Sequence, residues 1–229
     1  MLDKSHSTVQ TMFSDIAGTY DLLNHVLSGY QDKLWRYRAV GRLRPRRGEV
    51  VLDLCCGTGD STLEIARRQP NCHVIGADFA APMLVRAQSK GLPELVAADA
   101  LCLPFGDSRF DAVSVAFGVR NFEDTRAGLA EIHRVLKTGG RLLVLEFMRP
   151  TSNLVQRAAG ASNFVLAPLG RAISGHGSAY NYLPQSIGGF YTRREFENLL
   201  REVGFQGVRS FDHSLGIATS FLGRKSNSV

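Results

Sequence analysis

The sequence predicts an α/β protein built around a mostly parallel β-sheet, and two patterns carry this prediction. From residue 50 onward, short apolar segments alternate with segments whose apolar residues recur at helical spacing. Strands that alternate with helices in this way form βαβ units, which build parallel sheets. In addition, three of the first apolar segments end in an aspartate, and a glycine-rich turn follows the first of them.

The predicted elements follow one another in a regular order. Strands are expected at residues 50–54, 73–78, 95–99, 110–117, 141–147, 205–211 and about 215–222. Helices between them are expected at residues 61–68, 81–90, 125–136 and 192–203. Thr192 and Glu195 have the spacing of a capping box at the start of the last helix, and Gly139-Gly140 predicts a turn before the fifth strand. Residues 8–42 also show helical periodicity, which predicts N-terminal helices.

A single domain is expected, because a chain of 229 residues can bury a sizeable core. Its parts are an N-terminal helical lid (1–47), a ligand-binding core (48–150), a helical insertion that caps the site (151–190) and a C-terminal helix with a strand hairpin (191–229). The hydrophobic content of 44% and the charged content of 21% exclude a disordered chain. No apolar run approaches the ~18–20 residues of a membrane span, and no apolar signal sequence follows Met1, so a cytoplasmic protein is expected.

Positive charge is concentrated in one segment of the chain. The net charge is +6, and seven cations with no acidic residue lie between Lys33 and Arg47. Three roles are open for this segment: a solvated helix face, contact with nucleic acid, and contact with anionic lipid headgroups. Without a zinc finger, an RNP-type strand or a helix-turn-helix signature, nucleic acid is disfavoured as a partner.

The four cysteines predict neither disulfides nor a metal centre. Cys55, Cys56, Cys72 and Cys102 form no CxxC pair and lack the paired Cys/His spacing of zinc sites. We therefore expect reduced, mostly buried thiols that act as small apolar residues.

The glycine-rich turn and the strand-end aspartates predict a ligand site at the carboxyl edge of the sheet. Gly57 and Gly59 let a ligand approach the backbone closely. Asp53 precedes these glycines and suits a cationic ligand better than a pyrophosphate. Asp78, which ends the second strand, can accept both ribose hydroxyls of an adenosine group, and Asp99 ends the third strand. No glycine after Gly59 completes a GxGxxG pattern, which disfavours a nicotinamide cofactor.

These features resemble the class I S-adenosylmethionine-dependent methyltransferases, and longer stretches are similar to the ubiquinone/menaquinone biosynthesis C-methyltransferases. The matching stretches are residues 12–17, 20–24, 34–36, 51–54, 57–60, 98–100, 103–105, 117–121, 143–147 and 180–187. The resemblance covers nearly the whole chain and implies a Rossmann-like fold with a central seven-stranded, mostly parallel sheet and helices on both faces. Cys55 stands where the family usually has a glycine, so a slightly repositioned turn is expected there.

The resemblance implies S-adenosylmethionine as cofactor, S-adenosylhomocysteine as its product, and no metal. The implied cofactor-binding residues are Asp53, Gly57, Thr58, Gly59, Asp78, Phe79, Asp99, Ala100 and Ala116. Asp78 would hold the ribose and Asp99 the adenine amino group, while a role in capping a turn stays open for both. Ala116 stands where the family often has serine, so only a backbone contact is expected there.

The implied reaction transfers a methyl group to a ring carbon of a polyprenylated quinol. Demethylmenaquinol is the expected acceptor, and the methoxybenzoquinol of ubiquinone synthesis is the alternative. Arg120, Asn121 and Tyr20 are the expected catalytic residues, and Tyr20, Asn24 and Tyr182 are the expected substrate-binding residues. Because arginine does not deprotonate in proteins, Arg120 would stabilise the quinolate oxygen, and Asn121 would orient it.

Other roles stay open for three of the residues considered for the site. The alternative for Arg120 is an ion pair with Glu123 or Asp124. His25 is either a base or a packed side chain. Tyr182 either lines a tunnel for the prenyl tail or belongs to the core.

A lipid-soluble acceptor predicts a protein that associates peripherally with the inner face of the membrane. We expect the cationic segment 33–47 to contact lipid, with apolar side chains from residues 154–169, and a homodimer is a further expectation.

Three other functions are weighed against the methylation of a quinol. They are methylation of another lipophilic acceptor such as a sterol or a phenol, a non-catalytic binding or assembly role, and nicotinamide oxidoreduction. The Phe-Gly-x-Arg-Asn motif disfavours another lipophilic acceptor. The intact set of acids and glycines disfavours a non-catalytic role, and the glycine pattern disfavours nicotinamide oxidoreduction.

Overall fold

The computed structural model describes residues 5–92, 94–151 and 178–226 of the chain. Its strands are β1 (Val50–Leu54), β2 (His73–Asp78), β3 (Leu95–Ala97), β4 (Phe110–Ala116), β5 (Leu136–Glu146), β6 (Phe205–His213) and β7 (Ala218–Lys225). They form one sheet in the order β3-β2-β1-β4-β5-β7-β6. Neighbours among β1 to β5 pair in parallel, whereas β7 is antiparallel to both β5 and β6. The predicted seven-stranded, mostly parallel sheet is confirmed.

Helices precede and connect the strands largely as predicted. They are α1 (His6–Ile16), α2 (Tyr20–Leu27), α3 (Gln31–Leu43), α4 (Asp60–Arg68), α5 (Ala81–Ser89), α6 (Thr125–Val135), α7 (Ser178–Gly188) and α8 (Arg193–Glu202). The predicted capping box of α8 is present: Thr192 Oγ1 accepts from the Glu195 N–H, and Glu195 accepts from the Thr192 N–H at 2.7 Å. Residues 152–177 of the predicted insertion, including the apolar stretch 154–169, lie outside the described residues.

Alternate residues of the central strands contribute to two different hydrophobic layers. Leu52 and Leu54 belong to a layer that also contains buried residues of α6 and α8. Val51 belongs to a second layer, with Leu43 of α3 and Ile65 of α4. Because successive strand residues point to opposite faces of a sheet, these layers lie on opposite faces, and helices cover both.

The fifth strand begins earlier than the sequence predicts. It starts at Leu136 instead of residue 141, and Gly139 lies inside it with a φ of +76°. The pairing register with β4 shifts between Phe110 and Ala112. The glycine pair therefore forms an irregularity within the strand rather than a turn before it.

The connection between β6 and β7 lies at the same edge of the sheet as the carboxyl ends of the parallel strands. β7 begins at Ala218 instead of residue 215, because Ser214–Gly216 forms a 3-10 turn. His213 pairs with Ala218 at the end of the hairpin, and Thr219 pairs with Glu146 at the carboxyl end of β5. The turn therefore leaves the sheet where ligands bind in parallel α/β sheets.

Two helical glycines differ in what surrounds them, and this generates a stability prediction. A Cβ atom at Gly128 in α6 would lie 2.4 Å from Cδ2 of the buried Phe122 ring. A Cβ at Gly41 in α3 would meet only the end of the Arg68 side chain, at 3.0 Å or more. Alanine normally favours a helix over glycine by about 1 kcal/mol.

We expect Gly128→Ala to lower the free energy of unfolding by about 1–3 kcal/mol, because overpacking of the Phe122 ring outweighs helix propensity. Gly41→Ala, the matched control, is expected to leave this free energy unchanged or raise it by up to about 1 kcal/mol. Urea denaturation of the two variants measures both. Equal free energies of unfolding for the two variants would contradict the close packing of Gly128 against the Phe122 ring.

Candidate active site

A cleft opens at the carboxyl edge of the sheet and encloses about 750 Å³, including its mouth. The predicted site residues that line it are Tyr20, Gly57, Asp78, Phe79, Asp99, Ala100, Ala116 and Asn121. Apolar side chains to which the sequence assigned no site role complete the wall, among them Val9, Phe13, Met83 and Phe122. Their helical or strand periodicity marks them as apolar positions but does not distinguish a cleft wall from a core. The cleft therefore combines strand-end carboxylates with an apolar wall.

Asp53 is fully buried, and the described cleft wall does not include it. The Thr62 hydroxyl donates to Asp53 Oδ2 at 2.7 Å, whereas Oδ1 has no hydrogen-bond partner within the described part of the chain. Desolvation raises the pKa of this carboxyl to about 6. A buried carboxylate with an unsatisfied oxygen favours a cationic partner, which is the ligand charge expected from the sequence.

Asp78 and Asp99 both line the cleft and both cap turns. Asp78 accepts from the Gly57 N–H at 2.8 Å and from the Ala80 N–H at 2.9 Å, and burial raises its pKa. Asp99 Oδ1 accepts from the Leu101 N–H at 2.9 Å. The capping role left open for these residues is therefore present. It is compatible with ligand binding, since each carboxylate oxygen can accept more than one hydrogen bond.

Cys55 takes a left-handed backbone conformation, with φ +55°, at the position where the resembling family usually has glycine. Its side chain packs on Gly118, where a Cβ atom would lie 2.5 Å from the Cβ of Cys55. The turn thus keeps a backbone conformation that favours glycine while carrying a side chain. Burial, together with carboxylates such as Asp78, raises the pKa of the Cys55 thiol well above its ordinary value.

Other expectations about the cysteines and the glycine turn are only partly met. All four cysteines are free, but only Cys56 is buried; Cys55 and Cys72 are half-buried, and Cys102 is exposed. Thr58 and Gly59 are not among the described residues that line the cleft. Gly59, with φ +90°, packs so closely that a Cβ would meet Leu92 Cδ1 at 2.1 Å. Gly59 therefore has a packing role in addition to any ligand contact.

The Thr58 side chain joins the glycine turn to α2. Its hydroxyl donates to Asp21, and Lys90 Nζ donates to Thr58 Oγ1 at 3.0 Å. Lys90 also forms ion pairs with Asp21 at 2.7 Å and with Asp60 at 2.8 Å. No sequence pattern singles out Lys90, because its position at the end of a helix has no pattern of its own. This network fastens the N-terminal helices to the predicted cofactor turn.

His25 lies in the same polar region, where both of its ring nitrogens face carboxylates, and both of its possible roles stay open. Its Nδ1 lies 2.8 Å from Asp32, and its Nε2 lies 3.7 Å from Asp60. His25, Asp32 and Asp60 place three potential metal-ligand atoms within 4.8 Å of one another. Since Lys90 already pairs with Asp60, a cation is present there without a metal.

Tyr20 extends over the glycine turn from the start of α2. A Cβ at Gly57 would lie 3.8 Å from Tyr20 Cε1, and the ring of Phe13 packs edge-on at a centroid distance of 6.0 Å. Burial raises the pKa of the phenol, and the neighbouring Asn24 side chain acts to lower it. Tyr20 is therefore a neutral hydroxyl that can donate into the cleft.

Arg120 is buried and pairs with Glu146, not with Glu123 or Asp124 as considered above. Its backbone N–H also donates to Glu146 Oε2 at 3.1 Å, and its Nε donates to Ser186 Oγ at 2.9 Å. Glu146 ends an apolar strand, which is the signal that singled out Asp53, Asp78 and Asp99. The same signal, applied to the fifth strand, would have singled out Glu146, but not its pairing with Arg120.

Tyr182 and Asn121 are brought together by α7. The Tyr182 hydroxyl donates to Asn121 Oδ1 at 3.0 Å, and burial raises the Tyr182 pKa. Asn121 lines the described cleft, whereas Tyr182 does not. The arrangement fixes the amide of Asn121 so that its nitrogen remains available as a donor.

Residues 1–225 match the model of the ubiE/COQ5 methyltransferase family. The chain belongs to this family. A demethylmenaquinone methyltransferase of Thermus thermophilus is 44% identical over 93% of the chain and 99% of its own length. A ubiquinone/menaquinone biosynthesis C-methyltransferase of Geobacter sulfurreducens is 39% identical over 98% of the chain and 91% of its own length. The family predicted from the sequence motifs, and with it a methyltransferase, is confirmed.

Solved structures show that the methyltransferase has the class I fold. An S-adenosylmethionine-dependent methyltransferase of Thermotoga maritima matches with a TM-score of 0.69 and 20% identity, over 94% of the chain and 99% of its own length. The [4+2]-cyclase SpnF matches with a TM-score of 0.71 and 17% identity, over 96% of each chain. Because the second protein is named for a cyclisation, the fold alone does not determine the chemistry.

The contact between Cys55 and Gly118 generates a double-mutant prediction. We expect Gly118→Ala to destabilise this methyltransferase by about 1–3 kcal/mol, because the new Cβ would collide with the Cys55 side chain. Adding Cys55→Gly is expected to restore most of this loss, since it removes both the collision and the left-handed side chain. Thermal unfolding of the single and double variants measures the coupling, expected at about 0.5–3 kcal/mol. Additive effects would show that the two positions do not interact.

Proposed function

We propose that the protein transfers a methyl group from S-adenosylmethionine to a ring carbon of a polyprenylated quinol, with demethylmenaquinol as acceptor. Its family and the names of the relatives above support a quinol C-methyltransferase. The observation that carries the proposal is that one cleft is lined both by carboxylates and by side chains that can donate hydrogen bonds to a phenolic oxygen. The carboxylates are those of Asp78 and Asp99, and the donors are Tyr20 and Asn121. The relative named for both quinones supports the methoxybenzoquinol as a second acceptor.

The carboxylates in and behind the cleft wall fit the cofactor. S-adenosylmethionine supplies an electrophilic methyl group on a positively charged sulfur. Ionised Asp53, whose Oδ1 is unsatisfied and buried, offers negative charge in a low-dielectric region. Asp78 and Asp99 on the cleft wall offer carboxylate oxygens to the ribose and to the adenine amino group. Gly57 has φ +55° and leaves room beside Tyr20 for the methionine part.

The hydrogen-bond donors of the cleft would activate the acceptor. Methylation at carbon requires a neighbouring quinol hydroxyl to lose its proton, because the resulting oxyanion donates electron density to the ring. Tyr20 and Asn121 would hold this oxygen by hydrogen bonds, and its proton would pass to water. Once the methyl group has bonded to the ring carbon, the hydrogen on that carbon would leave to water as a proton and the oxygen would regain one. The methylated aromatic quinol is then restored, with net release of one proton. Arg120 is buried behind the described cleft wall and does not line it. It acts to lower the pKa of both Tyr20 and Tyr182 in opposition to burial, so its charge would act on the quinol oxygen from behind these side chains. Glu146 and Ser186 hold the guanidinium in place.

The acceptor carries a lipid-soluble tail, so the protein is proposed to work at a membrane surface. In the described part of the chain, no helix is both long and apolar enough to cross a bilayer. Contact through the cationic segment 33–47 is part of the proposal. The homodimer and the contribution of residues 154–169 stay predictions.

The raised pKa of Asp53 predicts how cofactor affinity depends on pH. The carboxyl is neutral below about pH 6 and charged above it, so affinity for S-adenosylmethionine should rise with pH through this value. We expect up to about tenfold weaker binding per pH unit below 6. For Asp53→Asn we expect a shallower profile over the same range, and what remains would come from Asp78, whose pKa burial also raises. Isothermal calorimetry measures affinity, with circular dichroism at each pH to show that the protein is folded. A flat profile for the wild type would remove Asp53 from the cofactor site.

The proposed role of Arg120 predicts that its replacement changes the pH dependence of turnover. We expect Arg120→Lys to lower kcat by about 10²-fold and to move the rise of kcat to higher pH, because the quinol oxyanion loses stabilisation. Ser186→Ala, the matched control, removes only the partner of Nε and is expected to retain most of kcat. A methyl-transfer assay on a demethylmenaquinol with a short prenyl tail measures both. A lower kcat with an unchanged pH profile would assign Arg120 a structural role instead.

A further inference from the structure

We propose that the turn between β6 and β7, together with exposed side chains of α3, docks onto an anionic phospholipid bilayer. This inference rests on the proposed function, which places the acceptor in a membrane. We call this region the tip surface. It consists of Tyr30, Leu34, Leu215 and Ile217, with the cations Lys33, Arg38 and Arg42.

The turn exposes large apolar side chains on a constrained backbone. Leu215 is 98% exposed and Ile217 is 49% exposed. Ser214 and Leu215 both have left-handed φ angles, +46° and +60°, which are unfavourable for residues with a side chain. Trp35 Nε1 donates to Ser214 Oγ at 2.8 Å, and the Ser214 hydroxyl donates to Gln31. The fold thus holds Leu215 outward without giving it a partner within the described residues.

The start of α3 extends the apolar area. Gln31, which contacts the turn, and Leu34 are three residues apart and therefore neighbours on one side of the helix. Leu34 is partly exposed, and Tyr30 before the helix is more than half exposed. Lys33 Nζ lies 5.4 Å from the centroid of the Tyr30 ring. Aromatic and cationic side chains in this mixture are typical of surfaces that bind at a lipid interface.

Positive charge borders the apolar residues without compensation. The Arg42 guanidinium lies 4.5 Å from the centroid of the Phe211 ring in β6, and Arg38 is one turn earlier on α3. Both cations lower the pKa of the neighbouring His213. Within the described residues, no cation from Lys33 to Arg47 forms an ion pair, in contrast to arginines elsewhere such as Arg134.

The tip surface lies at the edge of the sheet that carries the cleft. The turn follows His213, at the end of the sheet where β5 reaches Glu146. Trp35 connects the two regions, because its ring packs against Phe117 and Phe147 at centroid distances of 6.3 and 6.0 Å. Phe117 lines the cleft. A bilayer in contact with Leu215 therefore faces the same edge from which a lipid-soluble quinol must enter.

The charge pattern favours a bilayer over a second copy of this chain. In a two-fold symmetric dimer the same patch meets itself, so the tip surfaces of two copies would bring Arg38, Arg42 and Lys33 close to their own equivalents. A protruding leucine surrounded by cations instead matches anionic headgroups above an apolar interior.

Vesicle sedimentation of the full chain tests the docking. The probe is phosphatidylcholine vesicles with or without phosphatidylglycerol, at low and high salt. We expect the wild type to bind tightly only to the anionic vesicles at low salt. Leu215→Glu and the double variant Arg38→Glu/Arg42→Glu are expected to bind these vesicles at least about tenfold more weakly than the wild type. Val85→Glu on α5 is the matched control: Val85 is 65% exposed but lies outside the tip surface, so wild-type binding is expected.

Turnover separates this inference from the proposed function. On a water-soluble quinol with a short side chain, Leu215→Glu should match the wild type, whereas on a long-tailed quinol in anionic vesicles it should fall about tenfold. Failure of the wild type on every quinol would overturn the proposed function and leave vesicle binding as an independent result. Unchanged vesicle binding by Leu215→Glu would overturn the docking. So would a wild-type dimer that Leu215→Glu converts to a monomer in analytical ultracentrifugation, because a second copy would then cover the tip surface.

Discussion

The hydrogen bonds that the Asp78 carboxylate accepts organise the whole ligand edge of this protein. One oxygen accepts from Gly57 in the turn after β1, and the other accepts from Ala80 at the start of α5. Two connections from neighbouring parallel strands are thereby fixed against each other. The parallel topology brings these chain segments to one edge, and a single buried carboxylate determines their spacing. This carboxylate thus replaces water as the acceptor for two backbone N–H groups beside the cleft.

The same turn also holds the N-terminal helices. Thr58 follows Gly57 and bonds to Asp21 of α2, and Lys90 after α5 bonds to Thr58 and Asp21 together. As a result Tyr20, one residue before Asp21, is held over the glycine turn. A change in the turn on ligand binding would reach α2 through these polar contacts. The N-terminal helices are thus part of the site rather than an appended unit.

The strands and the identity of the strand-end acids could be predicted from the sequence, because alternation and buried apolar runs are local signals. The capping box at Thr192 was equally local. The starts of β5 and β7 could not be predicted in this way, since left-handed residues and a register shift with β4 determine them. Similarly, the pairing of Arg120 with Glu146 joins residues 26 positions apart, and only the parallel neighbours β4 and β5 bring them together. Lys90 carries no local signal for its part in the site.

The left-handed Cys55 has a chemical consequence for an enzyme of this kind. A thiolate beside an alkylating sulfonium would be the strongest nucleophile in the pocket and would compete with the intended acceptor. Thiolates react and thiols do not, and the surroundings of Cys55 keep its proton in place. Burial, and after it the neighbouring carboxylates, therefore keep the thiol protonated. Under the proposed function this would protect Cys55 from methylation by the donor.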